Sequence, residues 1–349
     1  MRTSDFDYEL PEELIAQRPM EPRDHSRLMV VNRATGAVEH RIFRDLPGFL
    51  QPGDALILND TRVMPARLFG VKAETGGRVE VLLVRRLEPD MWEALVRPGR
   101  RVLPGTVIRF GDGQLEARVE DRTDAGGRRL RFSVPEAAGD SDPRAIADWI
   151  ARLGQVPLPP YIKEQLDDPE RYQTVYAREE GSAAAPTAGL HFTPELLAAI
   201  EAKGVRVAHL TLHVGLGTFR PVQTETVEEH RMHTEYFRVS GAVAEAVALA
   251  RREGRRVVAV GTTAARALES AAGPGGTIGR TEGWTNLFIY PGYRWKVVDG
   301  LITNFHLPRT TLLMLVAALL GRERTLAVYR QAVEARYRFF SFGDAMLIL

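Results

Sequence analysis

The sequence predicts an α/β protein that is interrupted by a small inserted all-β barrel. Three observations predict this fold class. The 349 residues exceed the usual size of one hydrophobic core. From residue 193 onward helix and strand patterns alternate, whereas residues 66–134 hold short strand-like runs without a helix between them. We therefore predict a discontinuous α/β domain of residues 1–62 and 153–349, and an inserted six-stranded barrel of residues 63–152.

The first sixty residues contribute to the α/β domain. Their pattern predicts a short helix over 11–17, strands near 28–32 and 38–43, and a strand over 55–58 that ends at Asn59-Asp60. Polar residues directly after a strand are well placed for a functional site.

Five turn signals divide the following stretch into six strands. They are Gly76-Gly77, Glu88-Pro89-Asp90, Pro98-Gly99, Gly111-Asp112-Gly113 and Gly126-Gly127. An up-and-down series of this kind closes most simply into a barrel, because closure removes the exposed strand edges. A helix from Pro143 to Leu153 follows, and a proline-rich segment over 156–161 leads the chain back to the α/β domain.

The rest of the α/β domain is predicted from alternating periodicities. The helices are expected over 194–203, 242–253, 263–271, 310–320 and 325–337, and the strands over 205–214, 235–239, 256–260 and 286–289. We see no internal repeat.

Composition excludes several functional classes. The chain has no cysteine, which excludes disulfides, thiolate zinc sites, iron–sulfur clusters and cysteine nucleophiles. The amino terminus lacks an apolar core, and the longest apolar run, 312–320, is too short to cross a bilayer. We therefore expect a cytoplasmic protein without a membrane partner. Because the net charge is only +1, a polyanionic partner must be bound by a local basic patch.

The loop from Gly181 to Phe192 is the most informative stretch. Its small residues let main-chain amides approach a ligand closely, and the helix that starts after Thr193 adds a positive dipole end. This pattern predicts that His191 is presented to a ligand. The alternative is an ordinary tight loop whose histidine caps or packs.

Six of the eight histidines lie in the second half of the chain, which suggests a site there. His209 and His213 share one strand face, so one of them can simply support the other. The spacing of His230 and His233 resembles that of metal ligands, but no Asp or Cys stands at a defined offset. We therefore predict no metal site.

Two glycine-containing turns follow apolar strands. Gly215-Leu216-Gly217 invites a dinucleotide interpretation, but Arg220-Pro221 stands where the phosphate-binding helix should begin and a third glycine is missing. The turn Gly261-Thr262-Thr263 is better placed for an anion or a carboxylate, the alternative being a simple helix cap.

Other polar clusters have both a functional and a structural explanation. Residues 59–62 and 302–308 follow apolar runs and can be ordinary turns. The tail, residues 337–348, mixes aromatic residues with an arginine and an acid, which suits a base or a sulfonium but equally suits a core edge.

Taken together these segments resemble the S-adenosylmethionine:tRNA ribosyltransferase-isomerases of queuosine biosynthesis. The resemblance runs nearly end to end and is carried by residues 14–17, 26–28, 59–68, 157–162, 172–177, 181–192, 213–219, 230–235, 261–269, 302–308 and 337–347. It implies transfer and isomerisation of the ribosyl group of S-adenosylmethionine onto 7-aminomethyl-7-deazaguanine at the tRNA wobble position. The implied products are epoxyqueuosine-tRNA, adenine and methionine.

The resemblance also implies roles for individual residues. The reaction needs a base for the ribose 5′ proton, which we expect to be His191 or His213, and a group at the adenine end, which we expect to be Asp60 or His306. Gly261, Thr262 and Thr263 would hold the methionyl carboxylate. Further substrate-binding residues are expected to be Asn59, Arg62, Tyr176, Thr187, Arg266, Glu269 and Asn304.

S-adenosylmethionine is thus expected as a co-substrate, and no true cofactor is expected. We expect tRNA to be the macromolecular partner and the protein to be a monomer. The barrel offers Arg97, Arg100, Arg101, Arg129 and Arg131 for tRNA, as well as Arg128. The alternative is that these arginines are only solvated strand faces. Two other functions stay open at this point: a catalytically idle RNA-binding protein and an S-adenosylmethionine-dependent tRNA methyltransferase.

Overall fold

A large mixed sheet with helices and a closed six-stranded antiparallel barrel organise the chain in the computed structural model. The structure describes residues 1–123, 126–135, 142–164, 166–215 and 222–349. Contacts divide these into an α/β unit of residues 1–62, 159–179 and 185–349, and a barrel unit of residues 63–158 and 180–184.

The strands are, in chain order, β1 (Arg27–Val31), β2 (Val38–Ile42), β3 (Ala55–Asn59), β4 (Thr61–Val63), β5 (Arg67–Lys72), β6 (Arg78–Arg86), β7 (Met91–Arg97), β8 (Val107–Phe110), β9 (Leu115–Arg122), β10 (Arg128–Ser133), β11 (Glu179–Ser182), β12 (Arg206–Leu212), β13 (Glu235–Val239), β14 (Val257–Val260), β15 (Glu282–Thr285), β16 (Gly300–Asn304) and β17 (Ala345–Ile348). The helices are α1 (Pro143–Leu153), α2 (Pro194–Ala202), α3 (Gly241–Arg252), α4 (Gly261–Ala271), α5 (Thr311–Leu320) and α6 (Arg322–Glu334).

The α/β unit contains a nine-stranded sheet with the order β15-β13-β12-β3-β14-β16-β17-β1-β2. Its centre is parallel, since β3 pairs in parallel with both β12 and β14, and β14 pairs in parallel with β16. Every residue of β3, β14 and β16 is buried. This explains why their sequences read as continuous apolar runs rather than as alternating ones.

The six predicted barrel strands are all present, and the barrel is closed. Its order, β10-β7-β6-β5-β8-β9, is not the simple up-and-down series that we expected. Two three-stranded meanders, β5 to β7 and β8 to β10, are joined by a connection that contains a 3-10 turn at Gly99–Arg101. This connection spans residues 98–106, which is long enough to cross one end of the barrel. Ile146 and Ile150 of α1 pack into the barrel core.

Two element predictions were wrong, and each has a tertiary reason. The helix expected over 11–17 is only a 3-10 turn at Glu12–Leu14, because the amide of Ala16 donates to the carbonyl of Phe339 at 3.1 Å instead of continuing a helix. The strand expected over 286–289 lies earlier, at β15, since the chain turns after Thr285, whose hydroxyl accepts from the amide of Leu287 at 3.1 Å. Strands β16 and β17 were not predicted at all.

Candidate functional site

The carboxyl ends of three neighbouring buried strands meet the amino-terminal end of α4. Strand β14 runs directly into α4, and the junction residue Gly261 has φ of +87°, a conformation that favours glycine. Asn59 ends β3 and Asn304 ends β16. Ligands of parallel α/β sheets commonly bind at this edge, because helix amino termini and loops converge there.

A cleft lies at this edge, and its empty space, including open solvent at its mouth, is about 490 Å³. Its lining residues are Tyr161, Ala185, Pro186, Thr187, Ala188, Val214, Gly261, Thr262, Thr263, Thr303, Asn304, His306, Leu312, Phe340 and Ser341. Within the part of the chain that the structure describes, this lining holds no Asp, Glu, Lys or Arg. The walls therefore offer hydroxyls, amides, imidazole and aromatic rings rather than formal charge.

Six of the residues predicted for the site line this cleft. They are Thr187, Gly261, Thr262, Thr263, Asn304 and His306. The other predicted residues, Asn59, Asp60, Arg62, Tyr176, His191, His213, Arg266 and Glu269, are absent from the described lining and make contacts within the protein that are given below.

The Asn59 side chain links secondary-structure elements by hydrogen bonds and is not free to bind a ligand. Its amide nitrogen donates to the carbonyl of Leu212 at 3.0 Å and to the hydroxyl of Thr263 at 3.1 Å. Its Oδ1 accepts from the amides of Leu212 at 3.0 Å and Thr61 at 3.2 Å. With both donor and acceptor capacity used, Asn59 fixes the start of α4 relative to β3 and β12.

Asp60 is buried and is also engaged on both oxygens. Oδ1 accepts from the hydroxyl of Thr211 at 2.7 Å, and Oδ2 accepts from the exposed guanidinium of Arg178 at 2.7 Å. The amides of Arg178 and Glu179 both donate to the Asp60 carbonyl. Asp60 therefore anchors the segment around Arg178.

His213 lies one residue before a lining residue, Val214, but does not itself line the cleft. Its Nδ1 is 2.8 Å from the Thr61 hydroxyl, and its ring stacks on Tyr236 with 6.1 Å between centroids. Burial lowers the pKa of His213, and the carboxylates of Glu179 and Asp60 act in the opposite direction. The Gly-x-Gly pattern that follows it ends at Gly217, which with Arg220 and Pro221 lies outside the described residues.

Asn304 brings the carboxy-terminal tail to the cleft. Its Nδ2 donates to the carbonyls of Phe340 at 2.9 Å and Ser341 at 3.4 Å. This fixes the orientation of the amide, whose buried side chain also interacts with His191. Phe340 adopts φ of +75°, which is unusual for a bulky residue and is held by this bond and by its own amide donating to Phe305 at 3.0 Å.

His306 lines the cleft and is buried. Its Nε2 is 2.7 Å from the Thr303 hydroxyl, and its main-chain amide donates to the hydroxyl of Tyr329 at 3.2 Å. Burial lowers the pKa of His306 to about 3. The imidazole is therefore neutral at neutral pH.

His191 lines a second, smaller cavity, whose empty space including open solvent is about 230 Å³ and which shares Ser341 with the cleft. Its Nδ1 is 2.7 Å from the Ser26 hydroxyl, its ring stacks on Phe43, and its Nε2 is buried. Burial lowers the pKa of His191 to about 3, and the charge of Arg338 adds to the effect while the Asn304 side chain opposes it. This histidine is thus also neutral.

The 3-10 turn Thr187–His191 carries the small residues of the informative loop. We expected the small residue at Gly189 to let the main chain approach a ligand. The structure gives another reason for glycine at this position, because a Cβ there would lie 2.1 Å from the Tyr176 hydroxyl. That hydroxyl is buried without a hydrogen-bond partner, and burial raises the pKa of Tyr176 well above its ordinary value. Tyr176 therefore supports the turn from behind as a neutral phenol. Thr193 caps α2 as predicted, accepting from the Leu196 amide at 3.2 Å.

The two charged residues predicted on α4 are occupied within the protein. Arg266 forms a buried ion pair with Glu235 and donates from Nε to the carbonyl of Leu287 at 3.0 Å. Glu269 accepts from the Tyr293 hydroxyl at 2.9 Å and from three successive main-chain amides, those of residues 296–298. Arg62 is half-buried and pairs with Glu170.

Sequence reasoning missed an aromatic pair in the cleft wall. Tyr161 and Phe340 meet edge to face with 4.0 Å between centroids, and the Tyr161 hydroxyl bonds the Ser341 hydroxyl. Tyr161 was interpreted as part of a proline-rich linker and Phe340 as tail. The usable signal was the aromatic cluster in that tail, but its partner lies 180 residues away.

The barrel arginines differ in what they contact. Arg97, Arg100, Arg101 and Arg129 are exposed. Arg131 pairs with three carboxylates, those of Glu88, Asp90 and Glu120. Arg128 is buried and donates to four main-chain carbonyls, those of Gly99, Val102, Gly126 and Gly127, so it holds the barrel loops together. The first four arginines are the ones whose charge faces solvent.

Two kinds of site are absent from the described residues. No group of three or more His, Asp or Glu residues there could hold a metal ion. No helix in those ranges is long and apolar enough to span a bilayer.

Comparisons with known proteins agree over the full chain. The family model of the queuosine biosynthesis protein matches residues 3–348. Relatives named S-adenosylmethionine:tRNA ribosyltransferase-isomerase, from Symbiobacterium thermophilum and Moorella thermoacetica, are 60% and 59% identical over 349 residues and are covered completely, as is this chain. A crystal structure of S-adenosylmethionine tRNA ribosyltransferase from Thermotoga maritima is 42% identical, with a TM-score of 0.56, and the match covers 99% of this chain and 100% of that one.

Proposed function

Because the chain belongs to the queuosine biosynthesis protein family, it is an S-adenosylmethionine:tRNA ribosyltransferase-isomerase, and we propose that the cleft beside α4 is where S-adenosylmethionine reacts. S-adenosylmethionine and tRNA are its substrates. In the proposed reaction the ribosyl group passes to 7-aminomethyl-7-deazaguanine of the tRNA and rearranges to the epoxycyclopentanediol, while adenine and methionine leave.

The observation that carries the proposal is the composition of the cleft lining. Its described residues carry no formal charge, and they combine the amino terminus of a helix with an aromatic pair. S-adenosylmethionine has a carboxylate, a sulfonium cation and an adenine ring. The amino terminus of α4, at Gly261, Thr262 and Thr263, supports binding of the carboxylate, because its free amides and dipole favour negative charge. The rings of Tyr161 and Phe340 suit the sulfonium or the adenine.

The two neutral histidines are the proposed proton-handling groups. His191, which lines the adjoining cavity and interacts with the Asn304 side chain of the cleft wall, is proposed to take the 5′ proton of the ribose, which the adjacent sulfonium acidifies. His306, in the cleft wall, is proposed to face the adenine end, with Asn304 Oδ1 and the Thr187 hydroxyl as further hydrogen-bonding groups. Both rings are neutral at neutral pH and can accept a proton, but the burial that lowers their pKa also makes them weak bases.

The remaining predicted residues are proposed to position other parts of the site rather than to contact the substrate. Asn59 positions α4, and Glu269 and Arg266 hold the segments that flank it. Asp60, Arg62, Tyr176 and His213 are proposed to fix the strand ends and the turn behind the cleft, since their contacts are with protein groups.

For tRNA we propose Arg97, Arg100, Arg101 and Arg129 of the barrel as phosphate contacts, with a lesser part for Arg131 because carboxylates surround it. A monomer and a cytoplasmic location remain part of this proposal, the latter because tRNA is modified where it is made and used. The idle RNA-binding protein and the methyltransferase are not favoured by the comparisons.

The test of the reaction is incubation with ribose-labelled S-adenosylmethionine and precursor-bearing tRNA. We expect release of free adenine together with label in the tRNA. Methyl transfer with adenine retained would contradict the proposal, as would tRNA binding without any turnover.

The test of the base is His191→Ala. We expect a folded protein whose turnover falls by at least about 10²-fold, the usual contribution of a proton-transfer group. Full turnover by the folded variant would remove His191 from the mechanism. The matched control is His233→Ala, because His233 is exposed and outside both cavities.

A further inference from the structure

An exposed tryptophan lies on an edge strand of the nine-stranded sheet. Trp284 of β15 is 51% exposed, and β15 is the outermost strand on that side. A large apolar side chain on an unpaired strand edge favours aggregation, so proteins commonly keep such edges short, charged or covered. An exposed tryptophan at this position is a candidate contact residue when further exposed rings adjoin it.

Trp284 begins an aromatic row that crosses three strands on one face. It is directly opposite Tyr236 of β13, and the two rings are 5.6 Å apart edge to face. Tyr236 in turn stacks on His213, which directly follows β12, at 6.1 Å and an interplanar angle of 23°. We call Trp284, Tyr236 and His213 the aromatic row.

Hydrogen bonds hold two of the three members of the row, Tyr236 and His213. The Tyr236 hydroxyl donates to Glu282 at 2.9 Å, and His213 Nδ1 is 2.8 Å from the Thr61 hydroxyl. Rigid aromatic rings lose little conformational entropy on binding a flat partner, which makes them effective stacking surfaces.

The row leads to the cleft. His213 is followed by Val214, a cleft-lining residue, so a chain whose reacting group enters the cleft has its neighbouring groups near the row. Two arginines near the row are paired, Arg238 with Glu179 at 2.8 Å and Arg178 with Asp60 at 2.7 Å, and Glu282 adds a carboxylate beside the Tyr236 hydroxyl. An aromatic surface with paired arginines and an added carboxylate fits the flat faces of bases better than it fits a phosphate backbone.

We propose that the aromatic row is a docking platform on which unpaired nucleotides of the tRNA substrate stack. This inference rests on the proposed function in one respect, that tRNA is the macromolecular substrate. Stacking on aromatic side chains is the usual way in which proteins hold the bases of single-stranded loops. A nucleotide held on Trp284 would position its neighbour for the cleft without taking part in the reaction.

The first experiment uses tryptophan fluorescence of the full-length protein. The chain has four tryptophans, and the difference between the wild type and Trp284→Phe isolates the exposed one. We expect tRNA and a single-stranded oligoribonucleotide to quench this difference signal and to shield it from iodide. A duplex RNA of the same sequence should have little effect; equal quenching by the duplex would overturn the platform.

The second experiment measures affinity for tRNA by filter binding. We expect Trp284→Ala to weaken binding about 5- to 150-fold, the effect of losing one stacked base, and Trp284→Phe to retain most of the affinity. Binding of S-adenosylmethionine should not change. The matched control is Ile42→Ala, because Ile42 is 44% exposed on β2, the opposite edge strand of the same sheet.

The outcomes separate this inference from the proposed function. Unchanged tRNA affinity in Trp284→Ala, with wild-type turnover intact, overturns the platform alone. A wild type that does not bind tRNA contradicts both. A wild-type dimer that Trp284→Ala converts to a monomer in sedimentation shows instead that the row binds a second copy of this chain, and this also overturns the proposal.

Discussion

The barrel unit and the α/β unit bury very different side chains. In the described residues of the barrel unit the buried polar side chains are those of Arg128 and Ser182, and the rest of the core is apolar. The α/β unit buries many more, concentrated at the ends of β3 and β16 and at the start of α4. A buried polar group costs stability unless it is hydrogen-bonded, so a dense cluster indicates a region selected for chemistry.

The two arginines that are buried among the described residues show the same difference on a small scale. Arg128 of the barrel donates to main-chain carbonyls and needs no counter-charge for its structural role. Arg266 of the α/β unit is paired with buried Glu235 and keeps Nη2 without a hydrogen-bond partner. The barrel thus uses its buried guanidinium to fix loops, whereas the α/β unit pairs its buried guanidinium with a carboxylate and leaves one nitrogen without a hydrogen-bond partner.

The largest expected effect tests whether the chemistry belongs to the α/β unit alone. His306→Asn removes an imidazole from the cleft wall, and we expect kcat to fall about 10²- to 10⁴-fold, the range for a proton-transfer group. The measurement is single-turnover adenine release, with a thermal melt to confirm folding. A folded variant with wild-type kcat would exclude His306; His233→Asn is the matched control.

The next effect compares the two buried arginines by urea unfolding. Arg266→Met removes the guanidinium that forms the buried ion pair with Glu235, and we expect a loss of about 3–5 kcal/mol in the free energy of unfolding. Arg128→Met leaves carbonyls without donors, and we expect about 1–3 kcal/mol. Adding Glu235→Gln should restore part of the loss in the first variant. Equal losses in both variants would contradict the distinction drawn above.

A smaller effect concerns acid stability of the α/β unit. Because burial holds the pKa of His191 and of His306 at about 3, whereas a histidine of the unfolded chain titrates near 6.5, the unfolded state binds more protons between these values. The contribution of the two histidines to the free energy of unfolding is therefore fully present above about pH 6.5. It decreases by about 1.4 kcal/mol per pH unit for each histidine as the pH falls toward 3.

We expect His191→Gln to reduce this slope by about 1.4 kcal/mol per pH unit between pH 5.5 and 4. The free energy of unfolding measured at several pH values checks the prediction. An unchanged slope would mean that His191 is accessible to protons in the folded protein.

The smallest expected effects lie on the barrel surface. The single variants Arg100→Ala and Arg101→Ala should each weaken tRNA binding severalfold. Each should also reduce the slope of log Kd against log salt concentration by about 1 for each phosphate that is no longer neutralised. Turnover at saturating tRNA should not change. Arg131→Ala, whose charge is already paired, should change the slope less. Equal slopes for all three variants would move the phosphate-binding surface away from this part of the barrel.

Local signals were sufficient for most of the architecture. The barrel strands were predictable because each is bounded by Gly- or Pro-containing turns, which act within a few residues. The start of α4 and the cap of α2 were predictable for the same reason. Strands β16 and β17 were not, because each is a buried run of four or five residues without a periodicity of its own.

The sequence by itself determined the α/β class with an inserted barrel, the family, and six residues of the cleft lining. Only the tertiary structure decided which polar groups line the cleft and which serve the fold. Asp60 looked free in sequence, but its partners Thr211 and Arg178 stand 151 and 118 residues away. Tyr161 was predicted to be a linker residue, but in the structure its ring contacts the ring of Phe340. A hydrogen bond depends on distance in space, and sequence neighbours carry no information about a partner so remote.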